Sequence, residues 1–299
     1  MPLTMRSILA LLFLALPALT QEATDTAVGA EPSDVPLVTV ELVSTVKRIH
    51  AGESFLVGVR LILEPGYHVY WRNPGDSGGP TEARLRAPEG FKIGPAMFPA
   101  PQRMEEPGGL TTYGYENEAL IFFEVTAPEK LPENRHTVFH GGARWLVCKT
   151  ECVPGRGVGE MRLIHDRRKA KKKIERPQGY AALQPHLARL PRPLVTHESW
   201  KPRWMGSEDK PIFILKLPKG MTGEFFPLED DQNRFLRARA KGGTITLHQS
   251  FLVGEQSLPR VRGLLLLNGG GKTICYELNR VWNDAPFVEP KKKTEEKGQ

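Results

Sequence analysis

The sequence predicts an all-β protein: two β-sandwich domains joined by a basic linker and a short helix. Three observations predict it. The 299 residues include 29 glycines and 26 prolines with no collagen period, an excess that marks many turns between short strands. Apolar residues alternate, as at Phe55, Val57, Val59, Leu61 and Leu63, so one strand face is turned to a core. Strand-like segments bounded by Pro and Gly recur in two regions, 36–166 and 195–289, at the spacing of antiparallel sandwiches. The length suits two domains, and 40% hydrophobic with 25% charged residues is a folded rather than a disordered composition.

Residues 1–20 read as an export signal. Met1 to Arg6 carries one positive charge, Ile8 to Leu16 is an apolar run of nine residues, Pro17 ends it, and Ala18 and Thr20 are small residues suited to cleavage. Such a core is too short for a typical membrane span, although an uncleaved anchor is the alternative. The sequence has no later run of the ~20 apolar residues a spanning helix needs, so the mature chain is expected outside the cytoplasm, where disulfides persist.

Glu22 to Pro36 is acidic and loop-like. Strands are then expected at Leu37–Val43, Phe55–Leu63, Tyr67–Trp71, Leu120–Val125, Thr137–His140 and Arg144–Val147. Asn73 to Glu118 shows little regular pattern beyond a possible strand at Ala83–Ala87, and loops this long are often functional. Residues 167–192 form the expected linker and helix: Arg167 to Pro177 is basic, and Tyr180, Leu183, Leu187 and Leu190 recur at helical spacing within Gln178–Leu190. In the second region, strands are expected at Ile212–Leu217, Thr244–His248, Arg262–Leu267 and Thr273–Leu278, with Asn268–Gly271 as a hairpin turn. Residues 290–299 are a basic tail. Much of the net charge of +7 lies in the linker and this tail. Such runs are usually solvated, and export argues against a nucleic-acid partner.

The chemistry centres on Cys148 and Cys152 in Trp145-Leu-Val-Cys-Lys-Thr-Glu-Cys-Val-Pro154. The other cysteine, Cys275, lies in an apolar strand pattern and is expected to be a buried thiol. On a straight strand, at about 3.3 Å per residue, the two sulfurs would be too far apart to bond, so the chain must turn between them if they pair. A loop this small stabilises a fold least, which leaves open both a redox switch and a bridge that pins a turn.

Gly66-Tyr-His-Val-Tyr-Trp-Arg-Asn-Pro-Gly-Asp-Ser-Gly-Gly-Pro80, Phe98-Pro-Ala-Pro101, Tyr113-Gly-Tyr115 and the cysteine segment resemble the N-terminal periplasmic domain of thiol:disulfide interchange proteins, the DsbD family. The resemblance is closer to the ScsB-type branch than to classical DsbD. More weakly, it extends to Phe225–Asp230 and Gly263–Leu278. It implies immunoglobulin-like sandwiches and no cofactor or metal. It implies Cys148 and Cys152 as the exchanging pair, with Cys152 attacking and Cys148 resolving, and Tyr113, Gly114 and Tyr115 as a cap that covers the sulfurs and engages partners. The partners it implies are a membrane-embedded electron donor and periplasmic thioredoxin-like or disulfide-carrying proteins.

Two departures stand out. The sequence stops at Gln299 without the family's membrane and thioredoxin-like domains, so the donor is expected to be a separate protein. Classical members carry acidic residues directly before the cap aromatic, where this chain has Gly109-Leu-Thr-Thr112. Glu105, Glu106 and Glu116 are the carboxylates left nearby, and none is assigned that role. Tyr113 and Tyr115 could shield the sulfurs or simply pack. Trp71 and Trp145 read as core, and Asn73 to Asp76 as a turn.

The leading expectation is a periplasmic thiol-disulfide oxidoreductase acting as a relay. One rival is a non-catalytic binding module with a structural disulfide. Another is a copper-handling protein using Cys148, Cys152, His136, His140 and Met161, whose soft sulfurs suit Cu(I).

Overall fold

The computed structural model describes residues 36–168, 175–194, 203–207, 210–228, 233–241, 243–251 and 260–281. The expected export signal and basic tail lie outside the described residues, as does most of the charged run after Arg168. The first sandwich is built from β1 (Val38–Ser44), β2 (Arg48–Ile49), β3 (Ser54–Leu63), β4 (His68–Gly75), β5 (Glu82–Arg86), β6 (Lys92–Ile93), β7 (Gln102–Glu106), β8 (Leu110–Glu116), β9 (Glu118–Thr126), β10 (His136–Cys148) and β11 (Cys152–His165). One sheet runs β1-β3-β9-β6. The other runs β2-β11-β10-β4-β8-β7, with β5 also paired to β10.

The alternation read in the sequence places this core. Phe55, Val57, Val59, Leu61 and Leu63 of β3 are buried together with Ile121, Phe123 and Val125 of β9. They face Phe139, Ala143, Trp145 and Val147 of β10. The two strands expected at Thr137–His140 and Arg144–Val147 are one continuous strand, because Gly141 and Gly142 stay within the ladder.

β11 has no counterpart among the strands the sequence predicts. Its inward positions include Gly155, Gly157 and Gly159, so no apolar alternation marks it. The glycines make room instead: a Cβ on Gly155 would lie 2.5 Å from the Trp145 indole nitrogen, and one on Gly157 would lie 2.6 Å from Val40 Cγ2. A strand glycine of this kind marks close approach by a neighbour.

The segment Asn73–Glu118 is not the structureless loop expected. It holds the end of β4 and all of β5 to β8, with β5 coinciding with the possible strand at Ala83–Ala87. Its alternation is hidden because β7 and β8 carry polar residues, Glu106 and Thr112 among them, on a face that is itself covered.

Helix α1 (Tyr180–Ala188) begins after Gly179, whose φ is +83°. Leu183 packs against Leu120 and Phe122 on the first sheet, and His186 Nε2 sits 2.8 Å from Glu118 Oε1.

The second sandwich comprises β12 (Pro191–Pro193), β13 (Arg203–Ser207), β14 (Lys210–Lys216), β15 (Thr222–Pro227), β16 (Asn233–Lys241), β17 (Thr244–Phe251), β18 (Arg260–Gly269) and β19 (Lys272–Val281). Its sheets run β12-β19-β18-β15 and β13-β14-β17-β16. Gly270 and Gly271, with φ of +58° and +71°, make the tight turn between β18 and β19, where the sequence placed it. The fold is all-β and immunoglobulin-like, as expected.

The two sandwiches share apolar surface. In β15, Phe225 enters the second core, whereas the next residue, Phe226, enters the first beside Trp71 and Tyr113. These three rings meet edge to face at centroid separations of 5.8 to 6.5 Å. Asn73 Nδ2 donates to the Pro227 carbonyl at 2.7 Å, and Arg103 pairs with Glu224 at 3.2 Å. Cys275 is fully buried at this junction, and burial pushes its thiol up to about 12, so it stays protonated and unreactive near neutral pH.

His165 predicts a pH dependence. It is buried at the end of β11 with Nε2 2.7 Å from Thr137 Oγ1, and desolvation lowers its pKa from 6.5. The unfolded chain therefore binds the proton more readily, and stability is lost as pH falls below 6.5 through the folded value. Urea titrations of the wild type should show declining stability from pH 7 toward pH 5. His165→Gln should flatten that decline.

Candidate functional site

The β10–β11 hairpin ends in the pair Cys148 and Cys152, directly opposite each other across the loop Lys149-Thr150-Glu151. The chain turns between them, the condition the spacing imposed, and their Cα atoms come to 4.3 Å and the sulfurs are bonded. The close cross-strand geometry of opposite residues supplies this approach. The two cysteines differ in access: Cys148 is 4% exposed, whereas Cys152 is exposed.

Alternation on β4 brings the polar neighbours. Cys148 is in register with His68 and Val147 with Val69. Val69 and Trp71 point to the core, so His68 and Tyr70 take the face that carries the disulfide. The Tyr70 hydroxyl lies 3.3 Å from Cys148 Sγ and 3.5 Å from Cys152 Sγ. It also lies 3.3 Å from Glu106 Oε1, to which it can donate.

Glu106, at the end of β7, collects further donors: Ser77 Oγ at 3.0 Å and Thr112 Oγ1 at 3.0 Å. His68 Nε2 is 3.8 Å away, and the His68 ring meets Tyr70 edge-on at 5.1 Å. Burial, and then the Glu106 charge and hydrogen bond, hold the Tyr70 phenol above its usual pKa. Burial lowers that of His68 against the opposing pull of Glu106 and Glu116. Near neutral pH the sulfurs thus face a protonated phenol backed by a carboxylate.

Local sequence assigns Glu106 no role and does not single out Tyr70 or His68. The usable signal was parity: with Trp71 in the core, the preceding residue must face the other way. Gly78 belongs to this site as well. Its φ is +87°, and a Cβ there would lie 2.3 Å from the Tyr70 ring.

Tyr113, Gly114 and Tyr115 sit on β8, paired with β4. The Tyr113 ring packs on Trp71 and Phe226, and the Tyr115 hydroxyl donates to the Pro99 carbonyl at 2.7 Å. Both rings are buried in the core cluster. Gly114 lies across from Tyr70 on the disulfide face, where a Cβ would meet the Val69 carbonyl at 2.3 Å and Met104 Cε at 2.7 Å. Here the group against the sulfurs is Tyr70, and Glu106 of the β7–β8 hairpin lies over it. Of the copper candidates, Met161 has the inward parity of β11 while His140 and His136 have the outward parity of β10. No group of three or more His, Cys, Asp or Glu is placed to hold a metal ion among the described residues.

Tyr70→Phe tests the hydroxyl. A hydrogen bond to a developing thiolate contributes roughly 1.5–3 kcal/mol. In the reduced protein, iodoacetamide alkylation of Cys152 at pH 7 should therefore slow by about tenfold or more, with the fold unchanged by circular dichroism.

A solvent-facing disulfide at one end of an immunoglobulin-like sandwich, backed by a phenol and a carboxylate, defines a thiol-disulfide exchange module. Residues 35–160 match the family described as thiol:disulfide interchange protein DsbD, N-terminal. The match falls on the first sandwich, where the quoted motifs lie, as the resemblance implied. Among solved structures, the chain is similar to the N-terminal periplasmic domain of ScsB from Proteus mirabilis, at 14% identity with a TM-score of 0.52, covering 81% of this chain and 91% of that one. That likeness extends the shared fold over both sandwiches. The E. coli chaperone DraB is also matched, at 8% identity and a TM-score of 0.24, over 81% of this chain and 98% of that one. No curated protein matches the sequence. No helix among the described residues is long and apolar enough to cross a membrane.

Proposed function

We propose that this protein is a periplasmic relay in which Cys148 and Cys152 carry two electrons from a membrane-embedded dithiol donor to exported disulfide-carrying proteins. The observation that carries this reading is the disulfide at a hairpin end, with Cys152 exposed and Cys148 buried under the Tyr70 hydroxyl. The donor's thiolate attacks Cys152 Sγ and expels Cys148 as a thiolate, and the Tyr70 hydroxyl stabilises that leaving group. The donor's second thiolate then attacks its own mixed-disulfide sulfur and frees Cys152, leaving the donor oxidised and the pair reduced. In the outgoing half, the Cys152 thiolate attacks the acceptor's disulfide and expels one acceptor thiolate. Cys148 then attacks Cys152 Sγ, which releases the second. Two electrons and two protons have moved, and the Cys148–Cys152 bond is restored.

The cap in this reading is the β7–β8 hairpin. Tyr113 and Tyr115 anchor it to the core, Gly114 lets it lie close to β4, and Glu106 latches it to Tyr70. Docking of a partner lifts the hairpin. The residues implied as a cap therefore act as its root. The reading is supported by the family match over residues 35–160 and by the name of the similar domain, which is periplasmic.

Redox titration in Cys275→Ala, with the pair followed by alkylation, tests the proposal. A relay pair should titrate above about −300 mV, whereas structural disulfides typically lie below that value. A lower value would assign the bond to pinning the hairpin.

A further inference from the structure

The sheet face that carries the disulfide continues away from it as a groove of about 910 Å³ across β5, β10 and β11. The register assigns its rows. Between the cysteines and the groove, Leu146 lies opposite Pro154. Next, Glu82, Arg144 and Arg156 form one row, and Arg84, Gly142 and Val158 the row after it. Arg86, His140 and Glu160 form the last.

All of these outward side chains share the parity of Cys148 and Cys152. At about 3.3 Å per residue, Arg144 stands about 13 Å along β10 from Cys148. Gly142 leaves the floor without a side chain. Val158 is 84% exposed, a large apolar group with no internal reason to face solvent. Arg84, Arg86, Arg144 and Arg156 are exposed and line the groove. None of them forms an ion pair with a described residue, although Glu82 and Arg144 are cross-strand neighbours.

We infer that this groove is the docking surface for the exchange partner, and that the partner offers it an acidic, extended segment adjoining its reactive cysteine. The inference rests on the relay reading and names the partner's chemistry. Guanidinium groups bind carboxylates in a bidentate fork, and a basic surface with an exposed apolar anchor is how an interface combines steering with contact. Continuity with the disulfide selects a protein segment over a free anion. A chain whose sulfur is in line with Cys152 and which follows β10 passes Leu146 and Pro154 before it reaches the arginines.

The test uses the full mature chain, reduced, with Cys275→Ala. Its probes are short peptides carrying one cysteine as a mixed disulfide with 5-thio-2-nitrobenzoate, extended on one side by glutamates or by glutamines. At low ionic strength the glutamate peptide should react about tenfold faster than the glutamine peptide, and salt should erase most of that advantage. Combined Arg84→Gln, Arg144→Gln and Arg156→Gln should abolish the preference while leaving the glutamine-peptide rate unchanged. Equal rates for the two peptides, or a preference that survives the arginine changes, would overturn the docking proposal and leave the relay standing.

A cysteine-free, fluorescein-labelled glutamate peptide reads binding without chemistry. Arginine-dependent binding of this peptide with no exchange of either mixed disulfide would sink the relay and keep the docking surface; no binding and no exchange would sink both. Arginine-dependent binding to phosphatidylglycerol vesicles, with no binding of the glutamate peptide, would give this face to a membrane instead and overturn the proposal.

Discussion

Cys148→Ser should accumulate mixed disulfides with exported proteins, and Cys152→Ser should accumulate few or none. The difference follows from access. With Cys148 replaced, the exposed Cys152 thiolate still attacks a partner's disulfide, but no neighbouring thiol remains to release the adduct. With Cys152 replaced, the remaining cysteine is 4% exposed and its sulfur sits under the Tyr70 hydroxyl, so an incoming partner cannot align with it. Non-reducing gels of periplasmic extracts, after acid quenching and thiol blocking, should show adducts for Cys148→Ser at ten times the Cys152→Ser level or more, an order-of-magnitude expectation from thiol access. Equal trapping by both variants would contradict the assignment of roles, and absence of adducts from both would contradict the relay itself.

Trp71→Ala should destabilise the first sandwich by about 3–5 kcal/mol, the usual cost of emptying a large aromatic site in a core. Trp71 is fully buried and touches both Tyr113 of the hairpin and Phe226 of the second sandwich. Its loss removes the ring that joins the cap's root to the domain junction. Urea unfolding followed by circular dichroism measures the effect.

Two controls bound it. Trp71→Phe should cost clearly less, because the indole nitrogen has no hydrogen-bond partner and the ring's contribution is packing. Val158→Ser, at an exposed position, should stay within about 0.5 kcal/mol of wild type. A Trp71→Ala loss no greater than that of Val158→Ser would refute the shared aromatic junction.

The all-β class, the alternating strand β3, the Gly270–Gly271 turn and the cysteine segment were legible in the sequence itself, because each is written in local spacing. A period of two, a pair of turn glycines and two thiols four residues apart carry their meaning without neighbours. β11 was not legible, since glycines stand where apolar side chains would mark its inner face, and their purpose appears only when Trp145 and Val40 are set against them. β7 and β8 were hidden for a related reason: polar Glu106 and Thr112 occupy the face that their neighbours cover.

Only the tertiary structure decided the chemistry around the sulfurs. Tyr70, Glu106 and Thr112 are far apart in the chain or unremarkable in it, and they converge because β4, β7, β8 and β10 lie side by side with a common parity, while Ser77 joins them from the bend after β4. The same parity turned Tyr113 and Tyr115 inward and left four arginines on the open face. Which side of a sheet a residue occupies is a property of strand register, and register is set by packing between segments that the linear sequence keeps apart.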